Sequence, residues 1–356
     1  MAITASTNFL EHPGRKSVGL WLLGLALLIV VMLAVGGLTR LTGSGLSITE
    51  WKPIMGAIPP LSHDAWMDAF RKYQQIPQYR LQNAGMTLEG FKAIFWWEWG
   101  HRFLGRAIGF AFLVPFAWFA VTGAIKREDW PRMLVLFLLG GLQGFVGWWM
   151  VTSGLEVRTS VSQYRLAIHL GMAVVLLGAI LWVALEYLRG RDSTGKLSKP
   201  AWLAFGFAGL VCVQMLLGAL VAGLHAGRHF NSWPTMDGYL LPPDAFAQGW
   251  GSMFENPGLA QFNHRLVAYI VAGAAWVFWS WLRTRNKEPV PRMARRASTA
   301  VVAVTALQIV VGIETLLYQV PVVLGALHQV IAALLFSAAI WQAFELTRTA
   351  PGPNPQ

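Results

Sequence analysis

The chain has 356 residues, of which 55% are hydrophobic and 13% charged, and its formal net charge is +11. So much apolar surface exceeds what a soluble domain buries, which excludes an ordinary soluble enzyme and makes lipid part of the solvent. The positive charge lies in short polar connections and in no basic soluble domain, so nucleic acid is excluded as a partner.

Uncharged runs lie between Lys16 and Arg40, Arg106 and Lys126, Arg132 and Glu156, Arg165 and Glu186, Lys199 and Arg228, Arg265 and Arg283, and Arg296 and Glu314. An eighth extends from Thr315 to Phe344. Crossing a hydrocarbon core takes about 20 residues, which predicts an all-α membrane protein with eight transmembrane helices. No cleavable leader or Arg-rich transit segment is expected before the first run, and a bacterial inner membrane is the simplest location. The 18 Trp suit interfacial belts, with Trp96, Trp97 and Trp99 the densest cluster. The loop from Leu41 to Trp97 has no clear period and yields no predicted element.

Basic residues gather in alternate connections: Arg15 and Lys16; Lys126, Arg127 and Arg132; Arg189, Arg191, Lys196 and Lys199; Arg283, Arg285, Lys287, Arg292, Arg295 and Arg296; and Arg348. The intervening connections are poorer, that between the third and fourth runs carrying Arg158 and Arg165. This bias predicts N-in, C-in. Cys212 is the single cysteine and lies in the fifth run, so no intramolecular disulfide orders the outer loops.

Helices one to four and five to eight correspond in order. Trp51-Lys52-Pro53-Ile54-Met55-Gly56 and Pro59-Pro60 match Trp233-Pro234-Thr235-Met236-Asp237-Gly238 and Pro242-Pro243 with a one-residue slip. The predicted organisation is two tandem four-helix bundles, residues 17–188 and 200–346, joined by a cytoplasmic linker, 189–199. With four helices each, the copies share one orientation and should be related by a pseudo-two-fold axis along the membrane normal.

Four histidines repeat with the helices. His101 and His264 open the same phrase, Glu98-Trp99-Gly100-His101-Arg102 against Gln261-Phe262-Asn263-His264-Arg265. His169 and His328 each follow a segment with Leu-Gln and a later glycine, Gln143 with Gly147 and Gln308 with Gly312. Each histidine is expected at the start of an apolar stretch on an even helix, so all four cluster towards the outer face. An imidazole in hydrocarbon is costly without a partner, and one opposed pair per bundle has the axial ligands for a planar iron porphyrin. Zinc would need three or four ligands. Arg102, Arg265, Arg106 and Arg165, with Arg40 and Arg228 as further candidates, suit the porphyrin's propionates. The plainer alternative is interfacial histidines bonded to carbonyls. Two haems at one depth disfavour electron transfer across the membrane, but a di-haem bis-histidine cytochrome b remains the alternative to an enzyme, with an inert haem carrier as a third class.

The phrases Gly36-Gly37-Leu38-Thr39-Arg40-Leu41-Thr42-Gly43-Ser44-Gly45-Leu46-Ser47, Glu50-Trp51-Lys52-Pro53, Gly56-Ala57-Ile58-Pro59-Pro60, Trp97-Glu98-Trp99-Gly100-His101-Arg102, Asn263-His264-Arg265 and His328-Gln329 together resemble heme A synthase. The likeness extends from the first helix to the eighth, and the missing loop cysteines align the chain with the cysteine-free branch that includes alphaproteobacterial and mitochondrial-type relatives. The resemblance implies an oxidoreductase that converts the C8 methyl of haem o to the formyl group of haem a for cytochrome oxidase. It implies haem b as redox cofactor on His264 and His328, and haem o as substrate on His101 and His169. Heme O synthase, oxidase assembly factors and a membrane electron acceptor are the implied partners.

The carboxylates favour the first half. Glu50 precedes Trp51 where Ser232 precedes Trp233, and Glu98 is replaced by Gln261. A carboxylate beside the methyl could take a proton from water or stabilise developing positive charge. Glu50 is the first catalytic candidate and Glu98 the second, with Glu314 weaker. Against this, Glu50 could be a solvated loop acid or pair with Arg40 or Lys52, and Glu98 could cap a helix or bond a histidine.

Overall fold

The computed structural model describes residues 14–190, 197–247, 249–284 and 290–348. Linker residues 191–196, including Arg191 and Lys196, lie outside the described residues, as do Arg285 and Lys287. Among the described residues eight helices are long and apolar enough to cross a membrane. They are α1 (Arg15–Leu41), α2 (Leu88–Val121), α3 (Trp130–Thr152), α4 (Gln163–Arg189), α5 (Lys199–Gly223), α6 (Pro257–Thr284), α7 (Arg292–Leu317) and α8 (Val322–Thr347).

Local chemistry sets the helix starts. The Thr87 hydroxyl accepts from Gly90 N at 3.2 Å at the head of α2, and Ser198 accepts from Ala201 N at 3.3 Å at the head of α5. Proline occupies the first turn of α3 and α5, where its missing N–H costs nothing.

One expectation changes. His101 does not open its helix, because α2 begins at Leu88, well before the uncharged run. The first turns of α2 carry Glu89 and Lys92, too polar to register as a membrane span, yet the Thr87 cap and the burial of Phe91 and Phe95 hold them helical. The Leu41–Trp97 loop also has structure. Helices His63–Gln74 and Pro77–Gln82 fold into an aromatic cluster in which Phe70, Tyr73, Phe91 and Phe95 are buried.

In the first half α1 packs on α2, α2 on α3, α3 on α4 and α4 back on α1. The second half repeats the ring, α5 on α6, α6 on α7, α7 on α8 and α8 on α5. The rings join through α1 with α8, α4 with α5 and α4 with α8. Between 33% and 44% of the apolar windows of α1, α4, α5 and α8 is buried, against 11% to 22% for α2, α3, α6 and α7. The first four therefore form the centre, and the other four present apolar surface outward.

Small residues let the central helices approach. A Cβ on Gly223 of α5 would meet the Gln163 backbone of α4 at 2.6 Å, and one on Gly178 of α4 would lie 3.1 Å from the Phe336 ring of α8. Contacts also define the two ends of the bundle. Leu41 packs beside Gly325, Leu46 beside Gly154, and Asn231 donates to Leu316 O at 2.9 Å, so all four odd-to-even connections meet at one end. At the other end Arg132 pairs with Glu186, Arg189 with Glu345 at 3.4 Å, and Arg348 donates to Gly190 O at 2.8 Å.

Candidate functional site

All four histidines lie towards the end where the odd-to-even connections meet, and each even helix lays its imidazole against a glycine of the preceding odd helix. A Cβ on Gly36 of α1 would lie 2.8 Å from Cε1 of His101, and one on Gly147 of α3 would lie 2.8 Å from Cε1 of His169. Gly312 of α7 does the same for His328 at 2.8 Å, and Gly218 of α5 for His264 at 3.1 Å. Only a residue without a side chain leaves these rings their space. Gly312→Ala is expected to push the His328 ring aside at an overpacking cost of about 1–3 kcal/mol. Gly218→Ala, with more clearance, should do less, so haem retained by the second half should fall further in the Gly312 variant, as read from its absorption spectrum.

In the second half the two histidines face one another. The rings of His264 and His328 have centroids 6.3 Å apart at an interplanar angle of 75°. His101 of α2 and His169 of α4 belong to the ring of four helices of the first half. Among the described residues no three His, Cys, Asp or Glu side chains converge as a metal cluster.

Glutamines hold three of the rings. Gln143 Nε2 lies 3.2 Å from His169 Nδ1 and donates to His169 O at 2.9 Å. Gln308 Nε2 lies 3.2 Å from His328 Nδ1. Gln214 Nε2 lies 3.1 Å from His264 Nδ1 and donates to His264 O at 2.9 Å. The Leu-Gln phrase marks the Gln–Gly pairs on α3 and α7 and passes over Gln214–Gly218, because Val213 stands where the other two copies have Leu. A glutamine four residues before a glycine was the usable signal.

Three of the arginines clasp the odd-to-even connections. Arg102 donates to Ile48 O at 2.7 Å and Glu50 O at 3.0 Å, while Arg265 donates to Phe230 O and Ser232 O, both at 3.0 Å. Ile48 corresponds to Phe230 and Glu50 to Ser232, so the same post-histidine arginine grips the same two carbonyls in each half. Arg106 holds Pro53 O at 2.7 Å and Lys52 O at 3.0 Å. Arg165 holds Trp149 O at 2.6 Å and stacks over the Trp149 ring. Arg40 Nε, Arg106 Nη1 and Arg265 Nε are buried donors without a protein partner. Arg228 is a cationic neighbour of Arg40, so an anion would be well received there.

The two candidate carboxylates differ in surroundings. The Glu98 side chain is 3% exposed. Its Oε1 accepts from Arg102 Nη2 at 2.6 Å, and its Oε2 accepts from Ser47 Oγ and Ile48 N, both at 2.8 Å. Gln261, its counterpart, donates to Phe230 O at 3.0 Å, so both residues fasten the same point of their loops. The Glu50 side chain is 44% exposed and pairs with Lys52 at 2.9 Å and Lys72 at 3.1 Å. The Lys52 hydrogen bond, with Lys72 adding to it against a counteracting desolvation, holds its carboxyl below the usual range. The adjacent Trp51 ring lies 5.4 Å from that of Trp148 on α3, closing the loop over the first half. Glu314 lies on α7 just beyond Gly312, half-buried.

The family model described as cytochrome oxidase assembly protein matches residues 19–340. A relative from Parvibaculum lavamentivorans named heme A synthase is 47% identical over 98% of this chain and 100% of its own length. A relative of the same name from Rhodopseudomonas palustris is 50% identical over 94% of this chain and 93% of its own, and one from Azorhizobium caulinodans is 48% identical over 98% and 99%.

Proposed function

The chain belongs to the heme A synthase family of cytochrome oxidase assembly proteins, and from that premise we propose that it oxidises the C8 methyl of haem o to the formyl group of haem a. The opposed histidines carry this reading. A centroid separation of 6.3 Å between His264 and His328 leaves room for one iron bonded to both rings, at about 2 Å per bond. The glycine cradles keep each ring clear of its neighbouring helix, and the orphaned Arg40, Arg106 and Arg265 donors suit propionate oxygens. The residues present therefore fit a bis-histidine haem.

On this reading His264 and His328, with Arg265, hold haem b, which supplies a one-electron acceptor when bound. His101 and His169 hold the substrate haem by its iron, and Arg40, Arg102, Arg106 and Arg165 lie on the helices that would receive its propionates. The repeated ring of packed helices supports two tandem units, 17–188 and 200–346, about a pseudo-two-fold axis, with 189–199 as the cytoplasmic link. The lysine and arginine bias supports N-in, C-in, which puts both sites towards the periplasmic face of a bacterial inner membrane.

Turning a methyl into an aldehyde takes two successive two-electron oxidations and one oxygen atom, drawn here from water. Four protons and four electrons leave, the electrons passing to a membrane acceptor. Glu50 is the residue proposed to take a proton or to stabilise developing positive charge; Lys52 and Lys72 keep it ionised. Glu98 is the second candidate for that role; in the structure it fixes Ser47 and Ile48 against Arg102 and so shapes the loop that carries Glu50. Pigment extracted from the purified protein is expected to contain haem b together with haem o, a hydroxylated intermediate or haem a. Haem b alone would replace the enzyme with an electron-transfer cytochrome.

A further inference from the structure

We propose that His101 is the exchangeable axial ligand of the substrate haem, and that Gln143, Gln214 and Gln308 are positioning residues that make the other three histidines firm ones. The inference rests on the haem reading above and goes beyond it to how the first site lets its cargo go.

Three histidines share one arrangement. A glutamine one turn before the cradling glycine puts its Nε2 within 3.2 Å of Nδ1, and the side-chain oxygen of each, Oε1 of Gln143, Gln214 and Gln308, is buried without a partner. An imidazole bound to a metal through Nε2 carries its proton on Nδ1 and needs an acceptor there. Such an acceptor fixes the ring and raises its basicity, strengthening the bond to the metal. Turning the amide over brings its unused oxygen to that proton, which in Gln143 and Gln214 replaces the bond to the histidine's carbonyl.

His101 breaks the pattern. The position one turn before Gly36 is Met32, whose methyl packs so that a Cβ on Gly105 would lie 3.1 Å from it. A thioether has no amide to offer, and His101 Nδ1 is buried without a partner. The first site is thus held firmly from α4 and weakly from α2, whereas the second is held firmly from both sides. The asymmetry falls on the half whose occupant must arrive as substrate and leave as product.

The test uses the full-length protein in detergent, loaded with haem, with apomyoglobin added as the receiver of released haem. Met32→Gln, which exchanges one unbranched side chain for another of similar length, is expected to slow release from the first site about tenfold or more. Gln143→Leu should speed it about tenfold, so the inference remains testable if the Met32 variant folds poorly. Gln308→Leu should keep haem b six-coordinate but raise its midpoint potential, by about 59 mV for each tenfold loss of ferric over ferrous affinity. Gln308→Glu, which restores an acceptor oxygen, should bring the potential back down. Unchanged release in both Met32→Gln and Gln143→Leu, or an unchanged potential in Gln308→Leu, overturns the inference. Wild-type protein with no haem on the His264–His328 pair would overturn the haem reading instead.

Discussion

Replacing His264 or His328 by Ala is expected to abolish the low-spin spectrum of the resident haem, because one imidazole cannot hold a six-coordinate low-spin iron. The remaining ring would keep its own glycine and glutamine, so the fold should survive. His101→Ala and His169→Ala should retain the haem b spectrum and lose haem a production. Absorption and EPR spectra of the four purified variants, with pigment extraction, provide the check. An unchanged low-spin spectrum in both second-half variants would remove the assignment. Loss of haem b from the first-half variants would reverse the halves. The two classes should separate cleanly because each pair belongs to its own ring of four helices, α1 and α8 meeting at Gly37 and Gln329.

The helices were legible because hydrocarbon demands long apolar runs, and the chain interrupts them with charges. The boundary of α2 was not legible, since an amphipathic extension held by Thr87 and a buried aromatic cluster has no hydropathy signature. The histidines were found because they repeat along with their helices. Their glycine cradles were only half visible: Gly147 and Gly312 stood out as motifs, whereas the contacts of Gly36 and Gly218 depend on which helices neighbour one another. The arginines were read as partners of the propionates. In the structure Arg102, Arg106 and Arg265 donate to loop carbonyls as well, because a guanidinium beside a loop finds its unsatisfied backbone oxygens. The pairing of Glu50 with Lys52 was foreseen from proximity in sequence, but that with Lys72 required the helix His63–Gln74 to fold back over the loop.

Glu50→Gln is expected to leave folding and haem b content near normal while conversion falls by about a hundredfold or more, the scale of a lost general base or electrostatic contribution. Haem o or a hydroxylated intermediate should accumulate. The side chain is partly exposed, and its ion pairs at the surface contribute little to stability, so an effect on rate without an effect on fold is the signature sought. Glu98→Gln should behave differently. Its carboxylate accepts from Arg102, Ser47 and Ile48 with both oxygens, and an amide has only one oxygen to offer. Leaving Arg102 without its counter-charge should cost about 3 kcal/mol, and thermal stability and conversion should fall together. pH dependence adds a separate handle on Glu50. Its carboxyl is held below the usual range chiefly by Lys52, so conversion that needs the ionised form should persist as pH falls through ordinary carboxylate values. Lys52→Met should raise that carboxyl and move the acid limb of the pH–rate profile upward. Near-wild-type haem a yield from Glu50→Gln would transfer the proton role to Glu98. Loss of haem b in the same variant would make Glu50 a structural acid that holds the loop through its lysines.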